Sequence, residues 1–220
     1  MPERFSQQKI VNRGIVTEPF RYIDSFEGRK HILLVFDDLT EGKMIQFRFL
    51  RNGLRAGESC FYLTHQEPSV IEREMSMSEV VDAREWIEKE QLHIYPIRDL
   101  SQDKDGMLKG YQKILEMIQQ YRPPYRVVGR AILDIKTEMS MEVQYVLEKV
   151  FHSRFETLEG SFLCYYDWSE MGGNRLRWLE RLSRTHHAVI FATNFRRGLT
   201  FNLESYFDTA SQDFHYIEEI

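Results

Sequence analysis

Five apolar residues in an unbroken row, Ile32-Leu-Leu-Val-Phe36, constrain the fold of this chain more than any other stretch. A strand that offers no polar side chain to either side is buried on both faces, and such strands belong to parallel sheets covered by helices on both sides. Further strands are expected at residues 59–64, 92–97, 126–135, 161–166 and 188–193. Between them apolar residues recur at helical spacing, at residues 44–55, near 69–75, and at 77–90, 107–120, 140–155 and 176–184. Gly57 suits the C-cap of the first of these helices, and Pro68 suits the opening turn of the second. Pro96 places the third strand at an edge or a strand end. Strand and helix in alternation predict one three-layer α/β domain around a mostly parallel sheet. The tail alternates at residues 199–203 and again at 214–217, which reads as an antiparallel appendage.

Composition excludes several classes. At 220 residues with 42% hydrophobic and 13% aromatic residues, the chain has the material for a real core. No apolar run approaches the roughly 20 residues of a membrane span. The opening Met1-Pro-Glu-Arg-Phe-Ser lacks an apolar signal core. Cys60 and Cys164 both fall in apolar strand runs, so they read as small buried hydrophobes in a reducing cytoplasm. A net charge of −5 argues against a nucleic-acid partner.

The stretch after the first strand is Asp37-Asp-Leu-Thr-Glu-Gly42-Lys43-Met44. A phosphate-binding loop reads G-x-x-x-x-G-K-[ST] between a strand and a helix. Here the second glycine and the lysine stand in place, but Asp37 replaces the first glycine and Met44 the hydroxyl residue. Met44 cannot hold Mg²⁺, which takes oxygen ligands. Asp37, Asp38 and Glu41 put carboxylates where a triphosphate would lie. Two like charges near 4 Å repel by about 4 kcal/mol at an effective dielectric near 20, and micromolar binding is worth only about 8 kcal/mol in all. The motif therefore predicts a nucleotide scaffold that has lost its nucleotide chemistry.

The first half resembles the RecA/KaiC-type ATPases. Gln46-Phe-Arg-Phe-Leu-Arg-Asn-Gly-Leu-Arg-Ala-Gly-Glu58 is similar to that family's helix and turn after the phosphate loop. Tyr62-Leu-Thr-His-Gln-Glu-Pro68 is similar to its next strand, with Gln66 where the catalytic carboxylate stands and Glu67 retained beside it. A glutamine is no general base. The strand after Pro124 places either Arg130 or Asp134 at the position of the Mg²⁺-polarising aspartate. A closer resemblance is to the MEDS (methanogen/methylotroph DcmR-like sensory) domain, a degenerate relative of the same ATPases. It rests on His31 and Asp37-Asp38, on Gly53-Leu-Arg-Ala-Gly-Glu58, on Tyr125-Arg-Val-Val-Gly129, on Leu163-Cys-Tyr-Tyr-Asp167 and on Arg184-Thr-His186. These motifs cover residues 31–195, leaving residues 1–30 as an N-terminal extension and 199–220 as C-terminal strands. The resemblance implies a RecA-like fold with a sensory role and no ATP hydrolysis.

The candidate ligand-binding residues are Asp37, Asp38, Gly42, Lys43, His65, Gln66, Glu67, Arg126, Asp134 and Asp167. Most follow a strand end, the edge where open α/β sheets bind ligands. Asp37, Asp38, Glu67, Asp134 and Asp167 are expected to gather there, with Lys43 and Arg126 balancing their charge; the plainer reading makes them helix caps. A ligand near Asp37, Lys43, Gln66 and Asp134 would shift the loop after the first strand. No ligand spacing supports a cation at Asp37 and Asp38, and His186-His187, adjacent on a strand, would point apart. No catalytic residue, metal or cofactor is assigned. Arg175, Arg177, Arg181 and Arg184 read as a solvated helix face paired with Glu180 and Glu170. The expected role is a cytoplasmic sensory or regulatory domain that binds a small organic molecule or a signalling protein, with homo-oligomerisation left open. Two alternatives stand beside it: an unusual nucleotide-binding ATPase using Lys43 and Glu67, and a non-catalytic subunit that partners an active ATPase.

Overall fold

The computed structural model describes residues 18–193 and 198–203, so the expected strand at 214–217 lies outside the described residues. Seven strands form one sheet in the order β3-β2-β4-β5-β1-β6-β7. They are β1 (His31–Phe36), β2 (Ser59–Thr64), β3 (Leu92–Pro96), β4 (Tyr125–Gly129), β5 (Gly160–Asp167), β6 (Ala188–Ala192) and β7 (Leu199–Asn202). All neighbours run parallel except β6 and β7, which pair antiparallel. Every residue of β1 is buried, as its apolar run requires.

The helices are α1 (Pro19–Ser25), α2 (Leu39–Arg55), α3 (Pro68–Met77), α4 (Ala83–Glu88), α5 (Met107–Ile118), α6 (Glu138–Arg154) and α7 (Arg175–Ser183). Strand alternation sends Ile32, Leu34 and Phe36 of β1, with Leu163 of β5, into a core closed by α1–α4. Leu33 and Val35, with Tyr166, meet α5–α7 on the other face. Two chemically distinct faces therefore flank one sheet.

Three boundaries differ from the sequence expectation. The expected helix at 77–90 is broken: Glu79 takes a left-handed backbone (φ 57°), and Asp82 restarts the chain as α4 by accepting from the Glu85 amide at 3.2 Å. The expected strand at 126–135 stops at Gly129. Beyond it, Ile132 turns into the core, where its amide donates to Gln144 Oε1 at 3.1 Å instead of a neighbouring strand. Most consequentially, α2 begins at Leu39 and not at Met44.

Candidate functional site

The early start of α2 rewrites the phosphate-loop motif. Only Asp37 and Asp38 separate β1 from α2, so this connection is too short to wrap a phosphate. Asp38 is the N-cap. Its carboxylate accepts from the Glu41 amide at 2.8 Å, and its carbonyl accepts from the Gly42 amide at 2.9 Å. A helix N-terminus attracts anions through its amides and dipole; here a covalently attached carboxylate already holds that position. Gly42 is needed for space, since a Cβ there would stand 2.5 Å from the Phe36 ring.

Lys43 lies one helical residue further on and folds back. Its Nζ donates to the Tyr62 hydroxyl at 3.0 Å and pairs with Glu74 at 3.0 Å. It also stands 5.3 Å from the centroid of the Tyr62 ring. The Tyr62 hydroxyl in turn donates to Gln46 Oε1 at 2.7 Å. The lysine that would grip a phosphate is thus bound into the packing between α2, α3 and β2. At the end of β4 the first residue beyond the strand is Arg130, which settles the register: Asp134 lies four residues out, exposed, in a turn closed by the Lys136 amide. Arg130 is 8% exposed, donates to the Leu133 carbonyl at 2.9 Å and pairs with Glu170 at 3.3 Å. A guanidinium offers no lone pair to a metal ion.

The opposite face holds a denser constellation. His31 at the start of β1, Cys164 in β5, Glu148 on α6 and His186 just before β6 bring one donor atom each within 4.8 Å of all the others. His31 Nε2 lies 3.2 Å from Glu148 Oε2 and 3.3 Å from Cys164 Sγ. Cys164 Sγ lies 3.4 Å from Glu148 Oε2, and His186 Nε2 lies 3.7 Å from the same oxygen. Burial pushes both imidazoles well below the usual histidine range, with the like-charged tendency of neighbouring histidines adding to it. Burial, with the Glu148 carboxylate beside it, pushes the Cys164 thiol up.

Outer partners fix these side chains. Glu148 Oε1 accepts from the Tyr166 hydroxyl and from Gln144 Nε2 at 2.8 Å, which leaves Oε2 to face the cluster. His186 Nδ1 lies 2.7 Å from the Leu182 carbonyl and 3.0 Å from Thr185 Oγ1. The Thr185 hydroxyl spends its own proton on the Leu182 carbonyl at 2.8 Å. Both neighbours therefore act as acceptors, so Nδ1 carries the imidazole proton and Nε2 presents a bare lone pair.

Beside this cluster lies a cavity of about 50 Å³ between α5, α6 and the middle strands. Leu63, Ile114, Val127 and Leu147 give it an apolar wall, while Arg130, Gln144, Glu148 and Cys164 supply its polar side. Two members of the four-residue cluster thus also border the cavity.

A family model for the methanogen/methylotroph DcmR sensory domain, MEDS, matches residues 30–187. The chain belongs to the MEDS family. Among solved structures, a KaiC-like protein of the hyperthermophilic archaeon Pyrococcus horikoshii OT3 is similar to this MEDS domain in fold. The two share 15% sequence identity over 74% of this chain and 71% of that one, at a TM-score of 0.52. The likeness shows the RecA-type architecture. No match was found among curated proteins.

Within this MEDS domain the expected site residues scatter. Asp37 is exposed, and its amide donates to the Ala192 carbonyl at 3.2 Å. Asp38 caps α2, Asp134 closes its own turn, and Asp167 accepts from the Ser169 amide at 2.8 Å. Glu67 occupies the N-cap position of α3 without a side-chain bond, and Gln66 is exposed with its amide held by Thr64. Among the described residues, these strand-end carboxylates do not converge on a common point at ligand distance. Of the five, Asp38 follows the plainer reading as a helix cap, while Asp134 and Asp167 close local turns. His65 sits between the Ile97 and Arg130 carbonyls, at 3.1 and 3.0 Å. Arg126 does not reach that edge at all. It stands at the start of β4, forks onto Glu58 at 2.6 and 2.7 Å and lies over the Phe26 and Phe49 rings. It clamps the turn after α2.

Sequence reasoning missed Glu148 and took Cys164 for a plain buried hydrophobe. Cys60 does fit that description, in the α1–α4 core. His186 and His187 precede β6 and are not on a strand, and both lie on the α6 side: His186 packs on His31, and His187 packs on His152 and Phe155, the rings that also flank His31. The usable signal was the set of MEDS-like motifs: three of them each supply a cluster residue, namely His31, Cys164 and His186.

Proposed function

We propose that this MEDS domain is a non-catalytic sensor of signal transduction whose input is a small organic molecule in the interior cavity, not a nucleotide at the end of β1. The Asp38 cap carries this reading. A phosphate would have to displace a carboxylate that is tethered to the helix it caps and thus never dilutes away. With Lys43 committed to Tyr62 and Glu74, the compensating charge is spent as well.

The cavity supports the second half of the reading. An apolar cavity of about 150 Å³ takes up benzene; one of about 50 Å³ suits a compound of about two heavy atoms by the same measure. Its polar side favours a ligand with one hydrogen-bonding group. The signal would leave through the segment after β4. There Arg130 and Ala131 border the cavity while Leu133 is exposed at the surface. The two-residue connection after β1 is held too tightly to act as the moving part that the sequence suggested. Any such shift is limited by the ligand's differential affinity for two states.

The test is the melting temperature with Mg-ATP and with a panel of short alcohols, amines and carboxylic acids. A ligand at 100 times its Kd adds about 2.7 kcal/mol. The reading expects no shift with Mg-ATP and an upward shift with at least one member of the panel. An upward shift with Mg-ATP and none with the panel would overturn it in favour of a nucleotide-binding domain.

A further inference from the structure

The four-residue cluster makes a demand that hydrogen bonding alone does not meet. The lone pair of His186 Nε2 faces Glu148 Oε2 at 3.7 Å, and that nitrogen has no hydrogen-bond partner. The proton of that ring sits on Nδ1, held by the Leu182 carbonyl. Two electron pairs therefore point at each other in the protein interior, where His186 is 1% and Glu148 4% exposed. Such an arrangement is stable only if something positive lies between them. Among the described residues, the ion-pair partners of Glu148 are the imidazoles of His31 and His186.

We propose that His31, Glu148, Cys164 and His186 hold one divalent cation of the zinc class in a closed tetrahedral site. Three arguments converge. The first is size: bonds of 2.0–2.3 Å in a tetrahedron put neighbouring donor atoms about 3.3–3.8 Å apart; four of the six separations run from 3.2 to 3.7 Å, and all lie within 4.8 Å. The second is charge. Two neutral imidazoles, one carboxylate and one thiolate carry −2, which a divalent ion cancels, so the occupied site is neutral in a buried setting. On binding, the Cys164 thiol gives up its proton to solvent and the sulfur electron pair forms the metal bond; no oxidant or reductant is needed. The third is the outer layer. His186 Nδ1–H is held by a backbone carbonyl, and Glu148 Oε1 is held by Tyr166 and Gln144. Metal sites use such partners to aim their ligands. Mixed nitrogen, oxygen and sulfur donors select a borderline ion over Mg²⁺ or Ca²⁺. Four protein ligands leave no open position, so the ion is structural: it ties β1, β5, the start of β6 and α6 together.

The inference stands apart from the ligand reading, because metal content is measured without any organic compound. The protein, free of any histidine tag, is assayed for metals as purified and after reconstitution with Zn²⁺, then titrated with Co²⁺ and followed by absorption. The expected result is about one ion per chain and a cobalt spectrum with a thiolate charge-transfer band. That band should vanish in Cys164→Ser and persist in Cys60→Ser. Tyr166→Phe should weaken Zn²⁺ binding by about 10–100-fold. A wild-type chain that takes up well under one equivalent of both ions overturns the proposal. So does a cobalt spectrum without a thiolate band, or a band that survives Cys164→Ser. Stoichiometry and spectrum are read on the wild-type protein, so the outcome does not depend on the variants folding.

Discussion

The N-terminus of α2 and the cluster around Glu148 lie on opposite faces of one sheet, and they are opposites in another sense. The first carries a motif that can be read aloud from the sequence, and its residues are engaged in local structure. Asp38 caps the helix, Gly42 makes room for Phe36, and Lys43 serves Tyr62 and Glu74. The second carries no local motif, yet it gathers two imidazoles, a carboxylate and a thiol around one point. Motif and site have parted company in this chain. A phosphate loop needs free amides and a free lysine, and a match in residue type says nothing about whether they are free.

The comparison breaks most easily at Glu148. Glu148→Ala removes the acceptor of the Tyr166 hydroxyl and of Gln144 and opens space in the core. Orphaned donors cost about 1–3 kcal/mol each, so denaturant unfolding should show a loss of about 3 kcal/mol or more. A loss under about 1 kcal/mol would mean that the cluster is not organised around this carboxylate.

On the other face the expected effects are smaller and are effects on packing. Gly42→Ala pushes a Cβ into the Phe36 ring and should cost about 1–3 kcal/mol, the range for overpacking. Lys43→Met removes a partly exposed ion pair and one hydrogen bond; chemical denaturation should report about 1 kcal/mol or less. Neither substitution should alter the response to nucleotide. In a working phosphate loop the pattern reverses, with stability kept and nucleotide binding lost. Observing that reversal would restore the ATPase reading.

The smallest effect concerns pH. Burial holds His65 below the usual histidine range, the desolvation outweighing its two carbonyl neighbours. The unfolded chain then binds a proton more readily than the folded one. Its contribution to stability is present above the unfolded-state pKa near 6.5 and is lost as pH falls below it. Because His65 is partly exposed, the slope it adds should stay well under about 1.4 kcal/mol per pH unit. His65→Asn should flatten unfolding curves below about pH 6.5 and leave them unchanged above about pH 7.

What the sequence disclosed follows from the range of the forces involved. Strands such as β1 and β2 were legible because burial on both faces writes an unbroken apolar run. The antiparallel β7 was legible from its alternation. The start of α2 was not, because the choice between loop and helix at 39–43 rests on one capping carboxylate. Arg126 was misplaced because its partner, Glu58, lies 68 residues away. The cluster was hidden for the same reason: His31 and Cys164 are 133 residues apart and meet only once β1 and β5 pair. Glu148 sits in a helix that reads as ordinary amphipathic surface, and only the fold turns it inward.

The most direct test of the account is a ¹⁵N NMR titration with Mg-ATP, following the backbone amides of Glu41, Gly42 and Lys43. If the Asp38 cap occupies the helix N-terminus as described, these resonances stay in place at millimolar nucleotide. Saturable shifts confined to these amides would show that phosphate reaches the helix after all, and would contradict the claim that this scaffold has closed its nucleotide site.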